Sequence, residues 1–154
     1  MKKKLPIGID NFEKIRENDY YYVDKTGMIK DLLMSGSEVT LFTRPRRFGK
    51  SLNMSMLKSF FSMDEEPEKQ LEMFEKTQIA AEKELCETHM GKYPVLFLSL
   101  KEISALEYEK ARAMIVFTVN ELARENQCIL QCEEMSDVDK EVYRRLLNKD
   151  MNDA

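Results

Sequence analysis

A short basic stretch in the first third of the chain holds the residues with the clearest chemical potential. Glycine, lysine and serine follow one another there, as Gly49-Lys50-Ser51, at the start of an amphipathic segment. Backbone N–H groups at a helix start lack internal partners and the helix dipole adds positive charge, so a phosphate satisfies both. Glycine allows close backbone approach, lysine contacts the β- and γ-phosphates, and the serine hydroxyl ligates Mg²⁺. The stretch predicts a nucleotide-phosphate site with Ser51 as the metal ligand.

The predicted site covers the whole basic loop and the first helical turn after it. Arg44 stands where the consensus G-x-x-x-x-G-K-[ST] has its first glycine, and Pro45 can set the turn in its place by fixing φ. The predicted nucleotide-binding residues are Arg44, Pro45, Arg46, Arg47, Phe48, Gly49, Lys50, Ser51 and Leu52. ATP and Mg²⁺ are the predicted cofactors, and the sequence assigns no catalytic residue.

The surrounding charge leaves two interpretations of the loop arginines open. Guanidinium groups suit phosphate oxygens, so Arg46 and Arg47 either contact the nucleotide or are simply solvated. The chain carries a net charge of −4, and we expect no exposed aromatic residues among the basic ones, which together disfavour direct nucleic-acid binding. A basic surface turn ahead of an ordinary helix is the alternative for the loop as a whole.

Apolar periodicity predicts an α/β fold around this loop. The β-branched run 38–43 and the apolar run 94–100 have the length and composition of strands, and 20–23 is a weaker one. Predicted helices occupy 11–17, 25–34, 50–61, 68–74, 79–90, 105–130 and 137–149. Alternating strands and helices predict part of a P-loop NTPase of the AAA/STAND-like kind, with a small parallel sheet flanked by helices.

Composition narrows the class of protein. No apolar run reaches the length of a membrane helix, and the basic start has no apolar stretch behind it, so we expect a cytoplasmic protein without membrane contact. Three cysteines argue against a disulfide framework. Two helical pairs, Cys86 with His89 and Cys128 with Cys132, leave zinc ligation as a minor alternative to ordinary packing.

Four segments of the chain resemble the AAA-ATPase-like family of bacteria and archaea. They are 7–16 (IGIDNFEKIR), 21–26 (YYVDKT), 43–57 (TRPRRFGKSLNMSML) and 91–101 (GKYPVLFLSLK). The likeness covers about residues 5–105 and continues more loosely beyond. It implies an ATPase domain commonly followed by a PD-(D/E)xK nuclease-like domain. It also implies that Arg44 is usual at its position, and that residues 20–26 lie beside the nucleotide. For Asp24, a helix cap is the favoured interpretation.

Hydrolysis requires an acidic residue that the predicted strands do not supply. P-loop hydrolases place one at the end of a second apolar strand, where it organises Mg²⁺ and water. Here the second run ends in Ser99-Leu100-Lys101, and Glu102 comes too late. Residues 1–154 are therefore interpreted as the incomplete N-terminal part of a P-loop domain, truncated before the acidic strand. It would bind ATP with weak or no hydrolysis alone, and its status as an enzyme stays open.

An interaction module is the competing prediction from another functional class. A truncated sheet would leave an unpaired edge, which invites strand addition or self-association. The predicted helix 105–130 offers a further partner surface, although covering the sheet is the simpler use of its apolar face. The expected partners are a nucleotide and either a second copy or the missing C-terminal half.

Overall fold

The chain divides into two structural units. A computed structural model describes residues 3–64, 66–101 and 103–148. Unit 1 is Met1–Val95 and unit 2 is Leu96–Ala154. Glu102, which the sequence raised as a late acidic residue, lies outside the described residues.

Helices dominate both units. In unit 1 they are α1 (Phe12–Glu17), α2 (Gly27–Ser35), α3 (Lys50–Phe61), α4 (Pro67–Phe74), a 3₁₀ turn (Ile79–Ala81) and α5 (Lys83–His89). In unit 2 they are α6 (Tyr108–Glu125), a 3₁₀ turn (Gln127–Gln131) and α7 (Asp137–Asn148). No helix among the described residues is long and apolar enough to cross a membrane.

An aromatic cluster forms the core of unit 1. Phe12, Phe60 and Phe74 are almost fully buried, with ring centroids 5.0 Å apart for Phe12 and Phe74 and 5.3 Å apart for Phe60 and Phe74. Ile29 of α2 and Met56 of α3 complete the contact between helices. Apolar positions of α2 and α3 therefore pack into this core.

Helix α3 is held in place by hydrogen bonds at its C-terminal end. Gly91 N donates to Phe60 O at 2.9 Å, and Tyr93 N donates to Phe61 O at 3.0 Å. The buried amide of Gln70 donates to two further carbonyls at the end of the helix, those of Ser59 and Ser62. These bonds occupy carbonyls that a helix end otherwise leaves unpaired. Because α3 is rigid, they also fix the basic loop at its opposite end.

Unit 2 is a helical pair joined through one tyrosine. The Tyr143 hydroxyl of α7 shares its proton between the carbonyls of Ala123 and Asn126, at 2.9 and 3.0 Å. Ser136 caps α7, since its hydroxyl accepts from Asp139 N at 3.1 Å. Ala123 is the sole apolar side chain below a tenth exposed among the residues described in this unit.

The predicted parallel sheet was wrong, and the α/β P-loop fold class falls with it. Segments 38–43 and 94–100 form no β-ladder among the described residues, where one isolated parallel bridge joins Ser62 and Tyr93. Val39 and Leu41 are 87% and 82% exposed. β-branched composition favours a half-buried pleated surface, but a sheet also needs a distant partner strand, which composition does not specify. The predicted open sheet edge is likewise absent from the described residues.

Two predicted helices differ from the structure by more than two residues at an end or are interrupted. The helix predicted over 105–130 is α6, Tyr108–Glu125, and a 3₁₀ turn follows it. The spacing of Ser104 and Glu107 predicts a capping box. That prediction was wrong, because Glu107 is itself the N-cap of α6 and Ser104 lies before the helix. The helix predicted over 79–90 is split by Glu82 into the 3₁₀ turn and α5.

Candidate functional site

The basic loop, residues 44–49, leads directly into α3. Gly49 is the N-cap of α3 and has φ of 74°, while Arg47 has φ of 70°. The left-handed region suits glycine but strains an arginine by about 1–3 kcal/mol. Left-handed residues in a tight turn bring backbone N–H groups toward one concave point, as in anion-binding nests. The loop therefore opens onto a helix start with the backbone bends that an anion-binding turn uses.

Lys50 crosses the basic loop. Its Nζ donates to Arg44 O at 2.6 Å, which ties the first helical residue to the first loop residue. Inside the loop, Phe48 N lies 3.4 Å from Pro45 O, and Asn53 N donates to Gly49 O at 2.9 Å as the helix begins. An ammonium has three donor hydrogens, so Lys50 can close the loop and still donate to a further acceptor.

A cavity of about 790 Å³ lies between the loop and the N-terminal segment. Lining it are Pro6, Ile7, Gly8, Ile9, Asp10, Arg46, Arg47, Gly49, Lys50, Ser51 and Leu52. This volume is within the range of ligand sites in proteins. One wall is apolar, and the other carries two guanidinium groups, an ammonium and the first turn of α3. Six of the nine predicted binding residues thus line one cavity.

The other three predicted residues lie elsewhere. Arg44 and Lys50 line a mostly apolar cavity of about 400 Å³ against α2, with Met28, Leu32 and Phe42. Pro45 lines a shallow depression beside Arg44. Phe48 is 59% exposed and lines neither cavity. Lys50 lines both of the larger cavities, so this residue lies where they approach each other.

Several residues near the loop were not among the predicted site residues, including Pro6, Asp10 and Lys25. Pro6 and Asp10 line the 790 Å³ cavity. The Lys25 ammonium lies 3.9 Å from the position that a Cβ would take on Gly49. Family resemblance had placed 20–26 beside the nucleotide, and Lys25 is the member of that segment that reaches Gly49. Local periodicity gives no signal for such a contact, because 24 residues separate the two positions.

Asp24 organises the turn that carries Lys25. Its Oδ1 accepts from Thr26 N at 2.8 Å and from Thr26 Oγ1 at 2.7 Å, and its Oδ2 accepts from Gln78 N at 2.7 Å. The helix begins later, at Gly27, with Thr26 as the N-cap. Asp24 was expected to be that cap, but it instead supports the turn that precedes the helix. The predicted cap at Asp24 was therefore wrong, and its hydrogen bonds hold the turn before the helix.

Partly buried Tyr22 supports the same turn. Its hydroxyl accepts from Lys25 N at 3.4 Å and donates to Met56 Sδ at 3.4 Å. Burial raises the pKa of the Tyr22 phenol above its usual value, because the phenolate would lose solvation. Tyr22 therefore connects the turn to α3 in its neutral form.

The protein oxygens at this cavity suit a Mg²⁺ ion that is also bound by phosphate. The exposed Ser51 offers a hydroxyl, and Asp10 contributes a carboxylate to the same cavity. Mg²⁺ is usually held by one or two protein oxygens together with phosphates and water, which this pair fits. No group of three or more metal-binding side chains occurs among the described residues. Zinc ligation by Cys86 with His89, or by Cys128 with Cys132, therefore has no support among the described residues.

Comparison with known proteins assigns the family. The fold and the loop define a helical protein with a candidate anion-binding site at a helix start. A family model described as Predicted AAA-ATPase matches residues 6–152. The chain belongs to this predicted AAA-ATPase family. A protein of Azotobacter chroococcum mcd 1, "Uncharacterized protein in vnfD 5'region", is 55% identical over 65 residues, which are 42% of this chain and 12% of that protein. No solved structure matches.

Proposed function

We propose that this chain binds the phosphates of ATP, with Mg²⁺, through residues 44–52 acting as a variant Walker A loop. Arg44, Arg46, Arg47 and Lys50 make no ion pair with any described residue. This concentration of unpaired positive charge is the observation that carries the proposal. Like charges held close together repel one another, and a polyphosphate would relieve that repulsion.

Backbone geometry supports a phosphate rather than an arbitrary anion. The left-handed bends at Arg47 and Gly49 precede a helix of twelve residues. Unpaired N–H groups and the dipole of that helix act at the same place as the cations. The Ser51 hydroxyl would share Mg²⁺ with the phosphate, and Lys50 would contact the terminal phosphates.

The adjoining cavity supports a nucleotide rather than inorganic phosphate. Pro6, Ile7 and Ile9 give it an apolar wall beside the loop. A nucleobase has apolar faces and fits such a wall, while the phosphates face the loop. Family membership favours ATP. We restrict the proposal to binding, with weak or no hydrolysis, because no described residue is assigned to organise the attacking water.

Calorimetric titration with Mg-ATP tests the proposal. We expect Lys50→Met to weaken binding about tenfold or more, since a charge-assisted hydrogen bond contributes roughly 1.5–3 kcal/mol. Lys83→Met is the matched control, because Lys83 is an exposed lysine at the start of α5 that lines no cavity near the loop. Equal affinity in the parent and Lys50→Met, or no binding by the parent, contradicts the proposal.

Association through unit 2 is a second candidate function. Large apolar side chains are exposed there, at Leu106, Tyr108, Phe117, Val138 and Val142. Exposed apolar surface commonly marks a protein interface. Light scattering across a concentration series would show a mass increase that Phe117→Lys reduces. A constant monomer mass at all concentrations contradicts this candidate.

A further inference from the structure

We propose that Lys25 supplies a second ammonium group to the bound phosphates, from a segment outside the predicted loop. This inference rests on the proposed function of the loop. Lys50 reaches the loop from α3, whereas Lys25 reaches Gly49 from the turn before α2. The phosphates would then be held between two cations that the fold brings together.

Position is the first support. Lys25 Nζ lies 3.9 Å from the Cβ position of Gly49, closer than any other atom there outside the neighbouring residues. Lys25 also lines a cavity of about 250 Å³ that shares Pro6, Gly49 and Leu52 with the larger cavity beside the loop. The ammonium therefore lies next to the glycine at which backbone and ligand would approach most closely.

Rigidity of the turn is the second support. Asp24 and Thr26, which flank Lys25, are both anchored to the segment before α5. Asp24 accepts from Gln78 N at 2.7 Å, and the buried Thr26 hydroxyl accepts from Ile79 N at 3.1 Å. Backbone held on both sides limits where the side chain can reach, which lowers the entropy lost on binding. Lys25 is thus aimed at the loop by the structure around it.

Charge is the third support. The exposed Lys25 ammonium forms no ion pair with a described residue. Lys30, five residues later, pairs with Glu82 at 2.6 Å. An additional cation beside an already basic loop is unfavourable unless an anion joins them. A polyphosphate is the anion that the proposed function provides.

The variants Lys25→Met and Lys25→Arg, with Lys83→Met as control, test the inference against Mg-ATP and inorganic tripolyphosphate. We expect Lys25→Met to weaken both ligands by a similar factor, about tenfold, because a phosphate contact does not depend on the base. Lys25→Arg should stay within about threefold of the parent, because it keeps the charge. Circular dichroism checks the fold, and Lys25→Gln replaces Lys25→Met under the same criteria if that variant is unfolded.

The outcomes separate the two proposals. Unchanged binding in Lys25→Met with weakened binding in Lys50→Met overturns the role of Lys25 and leaves the loop assignment standing. A loss confined to ATP, with tripolyphosphate binding unchanged, also overturns it, because Lys25 would then act on the nucleoside. No binding of either ligand by the parent overturns both proposals.

Discussion

The two units differ sharply in how much apolar surface they bury. Among the described residues, every apolar side chain below a tenth exposed belongs to unit 1, except Ala123. Unit 2 holds buried polar groups instead, Asn120 and Asn126, and Asn126 Oδ1 has no hydrogen-bond partner. Burial of apolar surface is the main stabilising term in folding. Unit 1 therefore has the core of an independent folding unit, whereas the described residues of unit 2 form no comparable apolar core.

This difference concerns function because the candidate site is on the unit with the core. Helix α3 contributes Met56, Leu57 and Phe60 to the apolar cluster near its C-terminal end, and its N-terminal end follows directly on the basic loop. A binding site needs rigid support to keep its donors in place. The aromatic core thus fixes the loop, and substitutions in the core should affect both stability and binding.

Removing a core aromatic should have the largest effect. Phe60→Ala deletes a fully buried ring that packs on Phe74, and we expect a loss of about 3–5 kcal/mol in the stability of unit 1. Hydrogen-exchange mass spectrometry, read on peptides from α3, measures this loss. Phe117→Ala is the control in unit 2, where the ring is 47% exposed, and it should cost less than about 1 kcal/mol. Equal costs at the two sites would remove the contrast between the units.

A glycine at the end of α3 should give the next largest effect. Gly91 has φ of 66°, and a Cβ there would lie 2.5 Å from Gln70 Oε1, which belongs to the amide that binds Ser59 O and Ser62 O. Gly91→Ala should cost about 2–3 kcal/mol, from backbone strain and weakened buried hydrogen bonds. Gly36→Ala is the matched control, with φ of 58° and open space, and should cost about 1 kcal/mol. Urea denaturation of both variants compares them; similar midpoints would show that Gln70 adjusts freely.

In unit 2, one hydroxyl should carry much of the helix contact. Tyr143→Phe leaves the carbonyls of Ala123 and Asn126 without that donor, at a cost of about 1 kcal/mol. We expect faster hydrogen exchange in peptides of α6 and α7, with α3 unchanged. Unchanged exchange in α6 would mean that the bond contributes little to unit 2.

Alkaline pH should weaken unit 1 through Tyr22. Burial raises its pKa in the folded protein above the unfolded value of about 10, so its contribution is complete below that pH and is lost as pH rises further. Denaturation midpoints on either side of about pH 10 should therefore fall more steeply for the parent than for Tyr22→Phe. Parallel slopes would show that Tyr22 ionises as easily in the folded protein as in the unfolded chain.

The sequence predicted the helices well because their signals are local. The predicted bounds of α3 are confirmed as Lys50–Phe61, and α2 ends at Gly36, with φ of 58°, which is a common helix stop. Each signal lies within a few residues of the feature that it specifies. The predicted strands failed because β-pairing depends on residues distant in sequence, which short patterns do not identify.

The candidate site was likewise predictable only where its signal is local in sequence. The stretch Gly49-Lys50-Ser51 indicated its position, because a glycine before a helix start is a local pattern. Lys25 and Asp10 approach the loop through the packing of unit 1, so no spacing rule could select them. The left-handed backbone of Arg47 was also not predictable, since arginine has no preference for that conformation.

Phosphorus NMR of Mg-ATP, titrated with the protein, measures most directly whether the basic loop holds the phosphates. Our account predicts that the β- and γ-phosphate resonances shift or broaden with the parent and with Lys83→Met, and much less with Lys50→Met. Phosphate resonances that stay unchanged at saturating parent protein, or that respond equally to Lys50→Met, would contradict it.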